Sequence, residues 1–359
     1  MRKFAQKIEE GCGLNPLGNT LVLSKGDYRT YGAALYQKDF LIELAKHQDF
    51  RIHGPGSPNY SPDDTLPVIF AKIGFIPDTI LSAHMWLSDN PEGPLDPMPK
   101  LELQGFQGLK IGVLNKEYSR LAEKLAWFSE QNFSVLFSHQ HQVEEFSRHS
   151  GVPAHYLPLA ANPELFSSSQ TEKDIDFGFS GQLRNPMFPE SQSDFRFGVM
   201  RHIFHCFRDV PVAKKADWRA FSIQWRSWSG DGLSDRLVKL LPHRRRLPLH
   251  AYPSVMSRSK SWLNSPSPAG IISTRYFENA LSETLIFTEP SDPLRKLFGE
   301  DQLIYVTSPQ ELEEKFLWLM DHDTERLAIV SANRKTALES HLWKNRIEEL
   351  LSIASALPR

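Results

Sequence analysis

The residues of this chain best placed to do chemistry lie in one stretch, Ser259–Pro290, which reads SKSWLNSPSPAGIISTRYFENALSETLIFTEP. A strand-like piece (Ser261 to Leu263) runs into a Pro/Ser/Gly-rich loop. A helix opens near Ser273, and a second apolar strand follows at Thr284 to Thr288. Backbone N–H groups at a helix N-terminus have no intrahelical partner, and the helix dipole favours an anion beside them. The same opening carries a cation, Arg275, and three residues later a carboxylate, Glu278, which helical spacing puts on one face. Phe277, Ala280 and Leu281 fall elsewhere and are expected to pack inward. A phosphate contact beside a carboxylate for sugar hydroxyls suits a nucleotide. The plainer alternative makes Glu278 a dipole complement or a partner of Arg275, worth only about a few tenths of a kcal/mol. A capping box is excluded, because neither Ser273 nor Thr274 has Glu three residues on.

Other candidates carry less. His139-x-His141 follows a strand, but no matching carboxylate or cysteine stands near it in sequence, so no metal is expected. His202 and His205, one helical turn apart and flanked by Phe204 and Phe207, read as packing. The basic run His243 to Arg246 could meet a diphosphate but reads better as a solvated loop before Leu247-Pro248. Asp63, Asp64, Asp89, Glu92 and Glu117 are carboxylates from which a base could come, and sequence gives no geometry to choose among them. No G-x-S-x-G elbow supports a serine hydrolase. The turn after Thr20 to Leu23 reads SKGDYRTYG instead of the G-x-G-x-x-G that a dinucleotide dehydrogenase needs.

Positioning such a site takes a scaffold, and the chain spells one out. Its 359 residues exceed the length at which one core usually stops growing, so two domains are expected. Short apolar strands at Thr20 to Leu23, Phe50 to His53, Pro67 to Ala71, Asp78 to Ser82, Lys110 to Leu114 and Ser134 to Ser138 alternate with helices. The helices are expected over Ala33 to Lys46, Glu117 to Glu130 and His141 to His149. That alternation predicts a parallel, doubly wound sheet. After the connector around Asn162-Pro163 a second cycle starts with IDFGFSG, whose last residue, Gly181, meets its turn. Ser308-Pro309-Gln310-Glu311 is a capping box with Pro at the first helical position. Helices around Glu325 to Ser340 and Leu342 to Ala354 end the chain.

Composition narrows the class. The formal net charge of −2 offers no drive toward nucleic acid. Two cysteines, Cys12 and Cys206, cannot build a disulfide framework, which fits a reducing compartment. MRKFAQKIEEG lacks the apolar core of a secretory signal, and no apolar run is long enough for a membrane span. A cytoplasmic protein is expected, with peripheral membrane contact left open.

The connector VPAHYLPLAANPELF, the strand IDFGFSG, Arg196 opening a helix, SKSWLN, the loop into TRYFENALSETLIFTEP and the terminal HLWKNRIEELL together carry a resemblance. The chain resembles the GT-B glycosyltransferases, most closely the spore-maturation (CgeB-like) group, with its Arg-x-Phe-Glu motif. The likeness is good over Asp174 to Leu350 and general over the first 150 residues. It implies an α/β protein of two facing Rossmann-like domains with a cleft between them. Residues 1–160, joined by a C-terminal helix at 341–359 that crosses back, would form the acceptor-side domain. Residues 161–340 would bind the nucleotide sugar. The resemblance makes Glu278 a ligand of the ribose hydroxyls and sets Arg275, Ser273 and Thr274 where the phosphates approach. Gly181 becomes the glycine turn, Arg184 or Arg196 the neutraliser of the diphosphate, and His84 a contact to the donor sugar. His84 and Arg275 are the catalytic candidates, and no cofactor or metal is implied. Partners would be a nucleotide sugar and a hydroxyl acceptor. Many retaining members carry a second carboxylate eight positions before the ribose-binding one; here that position is Gly270, which leaves the stereochemical outcome open and keeps a catalytically silent binding protein as the alternative.

Overall fold

The computed structural model describes residues 15–25, 35–86, 101–167, 172–181, 195–196, 198–199, 202, 221–223, 251–267 and 269–358. Two compact units emerge: Met1–Leu159 together with Trp343–Arg359, and Ala160–Leu342.

The first unit is built on six parallel strands: β1 (Thr20–Leu23), β2 (Phe50–His53), β3 (Thr79–Ala83), β4 (Leu109–Val113), β5 (Val135–Ser138) and β6 (Ala154–Tyr156). They lie in the order β2-β1-β3-β4-β5-β6. Register is regular, with Thr20 opposite both Phe50 and Thr79. Strands β1, β3, β4 and β5 are buried on both faces, as a sheet covered by helices requires. The helices are α1 (Leu35–Leu44), α2 (Leu66–Ile73), α3 (Leu121–Glu130), α4 (Val143–Ser150) and, from the chain end, α10 (Trp343–Ser355). The core beneath them gathers Leu21, Ile80, Trp86, Leu125, Phe128 and Leu136 among others.

Two expectations fail here. Pro67 to Ala71 is not a strand but part of α2: Thr65 caps its start in an extended conformation, Pro67 occupies the first turn, and Gly74 closes it at φ 84°. Pro is preorganised for that first turn and Gly for the left-handed terminus, so the flanking residues override the short apolar run. Glu117 is not helical either; α3 starts only after Arg120, which sits at φ 53° and breaks the backbone path.

The second unit carries a five-stranded parallel sheet, in the order β11-β10-β9-β7-β8. Its strands are β7 (Ile175–Gly181), β8 (Phe221–Ile223), β9 (Ser259–Leu263), β10 (Leu285–Thr288) and β11 (Ile304–Tyr305). Described helices are α5 (Tyr252–Ser257), α6 (Thr274–Leu281), α7 (Asp292–Phe298), α8 (Pro309–Asp321) and α9 (Asp323–Ser340). The expected box forms at α8: Glu311 N–H donates to Ser308 Oγ at 3.1 Å, and the Glu311 carboxylate accepts from Thr307 N–H at 2.7 Å. Lys315 and the two Thr307 donors hold that carboxyl down to about 2.

Strands β7 and β9 must lie close, and one glycine permits it. A Cβ on Gly178 would fall 2.1 Å from Trp262 Cε3 and 2.3 Å from Cζ3. Trp262 is fully buried, with nowhere to retreat. Gly178→Ala is therefore expected to lower stability by about 1–3 kcal/mol, the usual cost of overpacking a tight core. Urea unfolding would read it, and an unchanged midpoint would show that the indole can move.

Candidate functional site

In both sheets the chain reverses its winding direction at one place, between β1 and β3 in the first and between β7 and β9 in the second. Open α/β sheets bind ligands at such switch points, outside the carboxyl ends of the strands. The sequence candidates fall on both.

In the second unit, β9 ends at Leu263 and is followed by Asn264 and Ser265, and the chain then turns through Gly270 into α6. Ser273 is the extended N-cap of α6, and its hydroxyl makes no capping bond to the helix. The first turn holds no acidic residue; it holds Arg275. A cation there opposes the helix dipole by about 0.3–1 kcal/mol. Arg196, half-buried, comes to the same place: its Nε donates to Ser265 Oγ at 2.6 Å, and Nη2 points to the same oxygen. Burial and the positive charge of Arg275 push the Arg196 guanidinium down to about 10, so it stays charged at neutral pH. Tyr276 and Glu289 act on it in the opposite direction. Tyr276 is fully buried and shares a hydrogen bond of 2.7 Å with Thr288 Oγ1 at the end of β10; its phenol is raised above the ordinary range, chiefly by burial. Gly181 ends β7 beside Ile223 of β8. The structure thus groups Arg196, Ser273, Thr274 and Arg275 around one helix start.

Glu278 lies deeper than Ser273, Thr274 and Arg275 at the helix start. From Tyr276 to Leu281 every residue of α6 is buried, and Glu278, which shares a helix face with Arg275 by its i,i+3 spacing, is 6% exposed. Gly270 has a local cause. It stands at φ 73°, with its N–H donating to Ser267 O at 2.9 Å. A carboxylate residue would be strained there, so this turn favours glycine at that position.

Arg184 and the run His243 to Arg246 lie outside the described residues. His202 is more than packing, since its ring nitrogen meets Glu313 Oε2 at 2.6 Å.

In the first unit His84 follows β3 directly, at φ 52°, fully buried. Tyr36 and Phe40 of α1 hold its ring edge-on at 5.3 and 5.1 Å between centroids. Its partner was invisible in sequence: His84 Nε2 lies 3.0 Å from His139 Nε2. Burial first, and His139 second, hold the His84 pKa well below 6.5, so the ring is neutral at physiological pH. Glu117, read only as one base candidate among five, is spoken for by the loop after β5. Its Oε1 accepts from Ser138 Oγ at 2.9 Å and from His139 N–H at 2.7 Å. Asp64 is likewise occupied, accepting from Lys72 and from Ser61 N–H.

Ser265, Tyr276, Thr288 and Glu289 are members that residue types alone did not pick out, and His139 reads in sequence only as half of a His-x-His pair. The one available signal was position: each lies at or just beyond a strand end, or in the first turn of the helix that follows.

Residues 206–352 match the Glycosyl transferase-like family model. No curated protein sequence matches the chain. Among solved structures, HepE of Anabaena in complex with UDP and glucose superposes with a TM-score of 0.60 at 11% identity, over 95% of this chain and 100% of that one. Sucrose-phosphate synthase of Thermosynechococcus elongatus gives 0.56 at 12% identity, over 94% and 98% of the two chains. A glycosyltransferase of Rickettsia africae gives 0.55 at 7% identity, over 96% and 98%. Among the described residues no helix is long and apolar enough to cross a membrane. The chain therefore has the fold of the GT-B glycosyltransferases, and its residues 206–352 match the Glycosyl transferase-like family model.

Proposed function

We propose that the chain transfers a sugar from a nucleoside-diphosphate donor to a hydroxyl acceptor. The observation that carries this is the start of α6, where two guanidinium groups repel each other beside a helix terminus that already bears positive charge. A bound diphosphate relieves that repulsion. HepE is described with UDP, with UDP-glucose, and with UDP and glucose, which supports a uridine donor.

In this reading the bond from the anomeric carbon to the phosphate oxygen breaks, and its electron pair passes to the diphosphate. Arg275, Arg196 and the N–H groups behind Ser273 and Thr274 stabilise that charge as it grows. The acceptor oxygen forms the new bond and gives up its proton. Glu278 takes the ribose hydroxyls, Gly181 leaves room for the phosphates, Arg184 adds charge, and His84 contacts a sugar hydroxyl. Residues 161–340 serve the donor and residues 1–160 with the last helix the acceptor. The two guanidinium groups take the place of a metal ion.

Melting the full chain with UDP, GDP and ADP is the first test. A nucleotide at about 100 times its Kd stabilises by about 2.7 kcal/mol. UDP is expected to give the largest rise, and UDP-sugar turnover is expected to survive EDTA. No rise with any nucleotide would overturn the reading. Binding without turnover would make the protein a nucleotide-recognition module, and loss of turnover in EDTA would return the phosphate charge to a metal.

A further inference from the structure

The His84–His139 pair allows its protons to be placed by elimination. His139 Nδ1 lies 2.7 Å from the carbonyl oxygen of Leu157, which can only accept, so this nitrogen carries a proton. A neutral His139 then offers a lone pair at Nε2. The two Nε2 atoms are 3.0 Å apart and the rings are inclined by only 18°, so one proton lies between them, and it belongs to His84. The neutral His84 ring is left with a lone pair at Nδ1. That atom is buried and has no hydrogen-bond partner among the described residues. A buried acceptor left unmet bears its full desolvation penalty, which a donor from a ligand would remove. The backbone is also held off its ordinary path at φ 52°, anchored by His84 N–H donating to Val113 O at 3.2 Å. Left-handed backbone at a residue with a side chain persists where the surroundings over-determine it, and it concentrates at binding sites. The ring stands at the switch point of the first sheet.

We propose that His139 is a positioning residue that locks His84 in its Nε2–H tautomer, so that His84 meets its ligand through Nδ1 as a hydrogen-bond acceptor for a hydroxyl group. Glu117 extends the device one step further back. By accepting from His139 N–H and Ser138 Oγ it fixes the loop that carries His139. Sequence of support thus runs from the Leu157 carbonyl through His139 to His84, and a hydroxyl completes it. The ligand class rests on the transfer reading, under which the hydroxyl belongs either to the donor sugar or to the acceptor.

The test starts with nitrogen NMR of the full chain labelled in its histidine rings, where protonated and unprotonated ring nitrogens resonate far apart. His139 should be protonated at Nδ1 and His84 at Nε2. A His84 ring protonated at Nδ1 overturns the proposal, whether or not the protein transfers sugar, because this measurement needs no turnover. Two variants then separate positioning from packing. His139→Gln keeps an acceptor for His84 and a donor for Leu157; it should preserve the His84 tautomer and restore activity to near the parent. His139→Phe keeps the ring volume and removes both bonds. It should mix the His84 tautomers and lower kcat/KM by about 10–100-fold, the usual effect of losing a group that orients a histidine. If the two variants lose activity equally while melting like the parent, the positioning role is wrong. A rise in KM confined to the nucleotide sugar assigns the hydroxyl to the donor, and a rise confined to the acceptor assigns it there.

Discussion

Replacing Arg196 and Arg275 together with methionine is expected to lower kcat/KM for the sugar donor by about 1,000-fold while leaving the free protein as stable as before, or more so. Each guanidinium–phosphate contact is a charge-assisted bond worth about 1.5–3 kcal/mol, and each 1.36 kcal/mol is a factor of ten in rate. Two such contacts give the estimate, with some shortfall from additivity because the groups share a ligand. Stability moves the other way for a definite reason. In the free protein the positive charge of Arg275 acts against that of Arg196, and the α6 terminus opposes Arg275. Methionine keeps the aliphatic stem, and the repulsion it removes offsets the lost bond to Ser265 Oγ. Lysine at either position should recover charge but not the forked contact, so activity should return only in part. Unchanged donor kinetics in the double variant would mean that this helix start is not where the diphosphate binds.

The parallel sheets were legible because burial on both faces demands near-continuous apolar strands. Thr79–Ala83, Leu109–Val113 and Leu285–Thr288 obey that rule. Leu66–Ile73 shows where the same signal misleads. Five apolar residues fit a strand or a helix, and only the cap residues Pro67 and Gly74 decide between them. Glu117 fails for a related reason, since nothing in its residue type announces that Arg120 will take left-handed backbone and delay the helix.

Site legibility follows sequence distance. Ser273, Thr274 and Arg275 were found because one helix start delivers all three. Arg196 meets Ser265 across 69 positions, and His84 meets His139 across 55, so both pairings depend on strand order, which periodicity does not encode. Glu278 was found for its type, but its burial was not legible. Amphipathic reasoning assumes a helix with one wet side, and α6 has none beyond its first turn. Gly270 was recorded as a missing carboxylate; its φ of 73° makes it a turn requirement in its own right.

Ending the chain at Leu342 should unfold the first unit, although that unit's sheet lies wholly within the first 159 residues. Helix α10 supplies Trp343, Ile347, Leu350 and Leu351 to its interior. Burying each such side chain contributes about 1.5–3 kcal/mol, so their joint removal costs roughly 6–12 kcal/mol. A whole domain is typically stable by only about 5–15 kcal/mol. Arg346 adds an anchor, its Nε donating to Pro158 O at 2.8 Å. The amides of β1–β6 are therefore expected to lose their protection against hydrogen exchange, and protection equal to that of the full chain would show that α10 is dispensable. Smaller cuts give a graded version: Ile347→Ala or Leu350→Ala should each cost about 2–5 kcal/mol. Function should fail ahead of the fold in these variants. Trp343 packs edge-on against Phe40 with centroids 6.0 Å apart, and Phe40 in turn braces His84 at 5.1 Å. A helix at the far end of the sequence thereby holds the ring whose unmet group is a single lone pair, and loosening it should blur the His84 tautomer before the sheet melts.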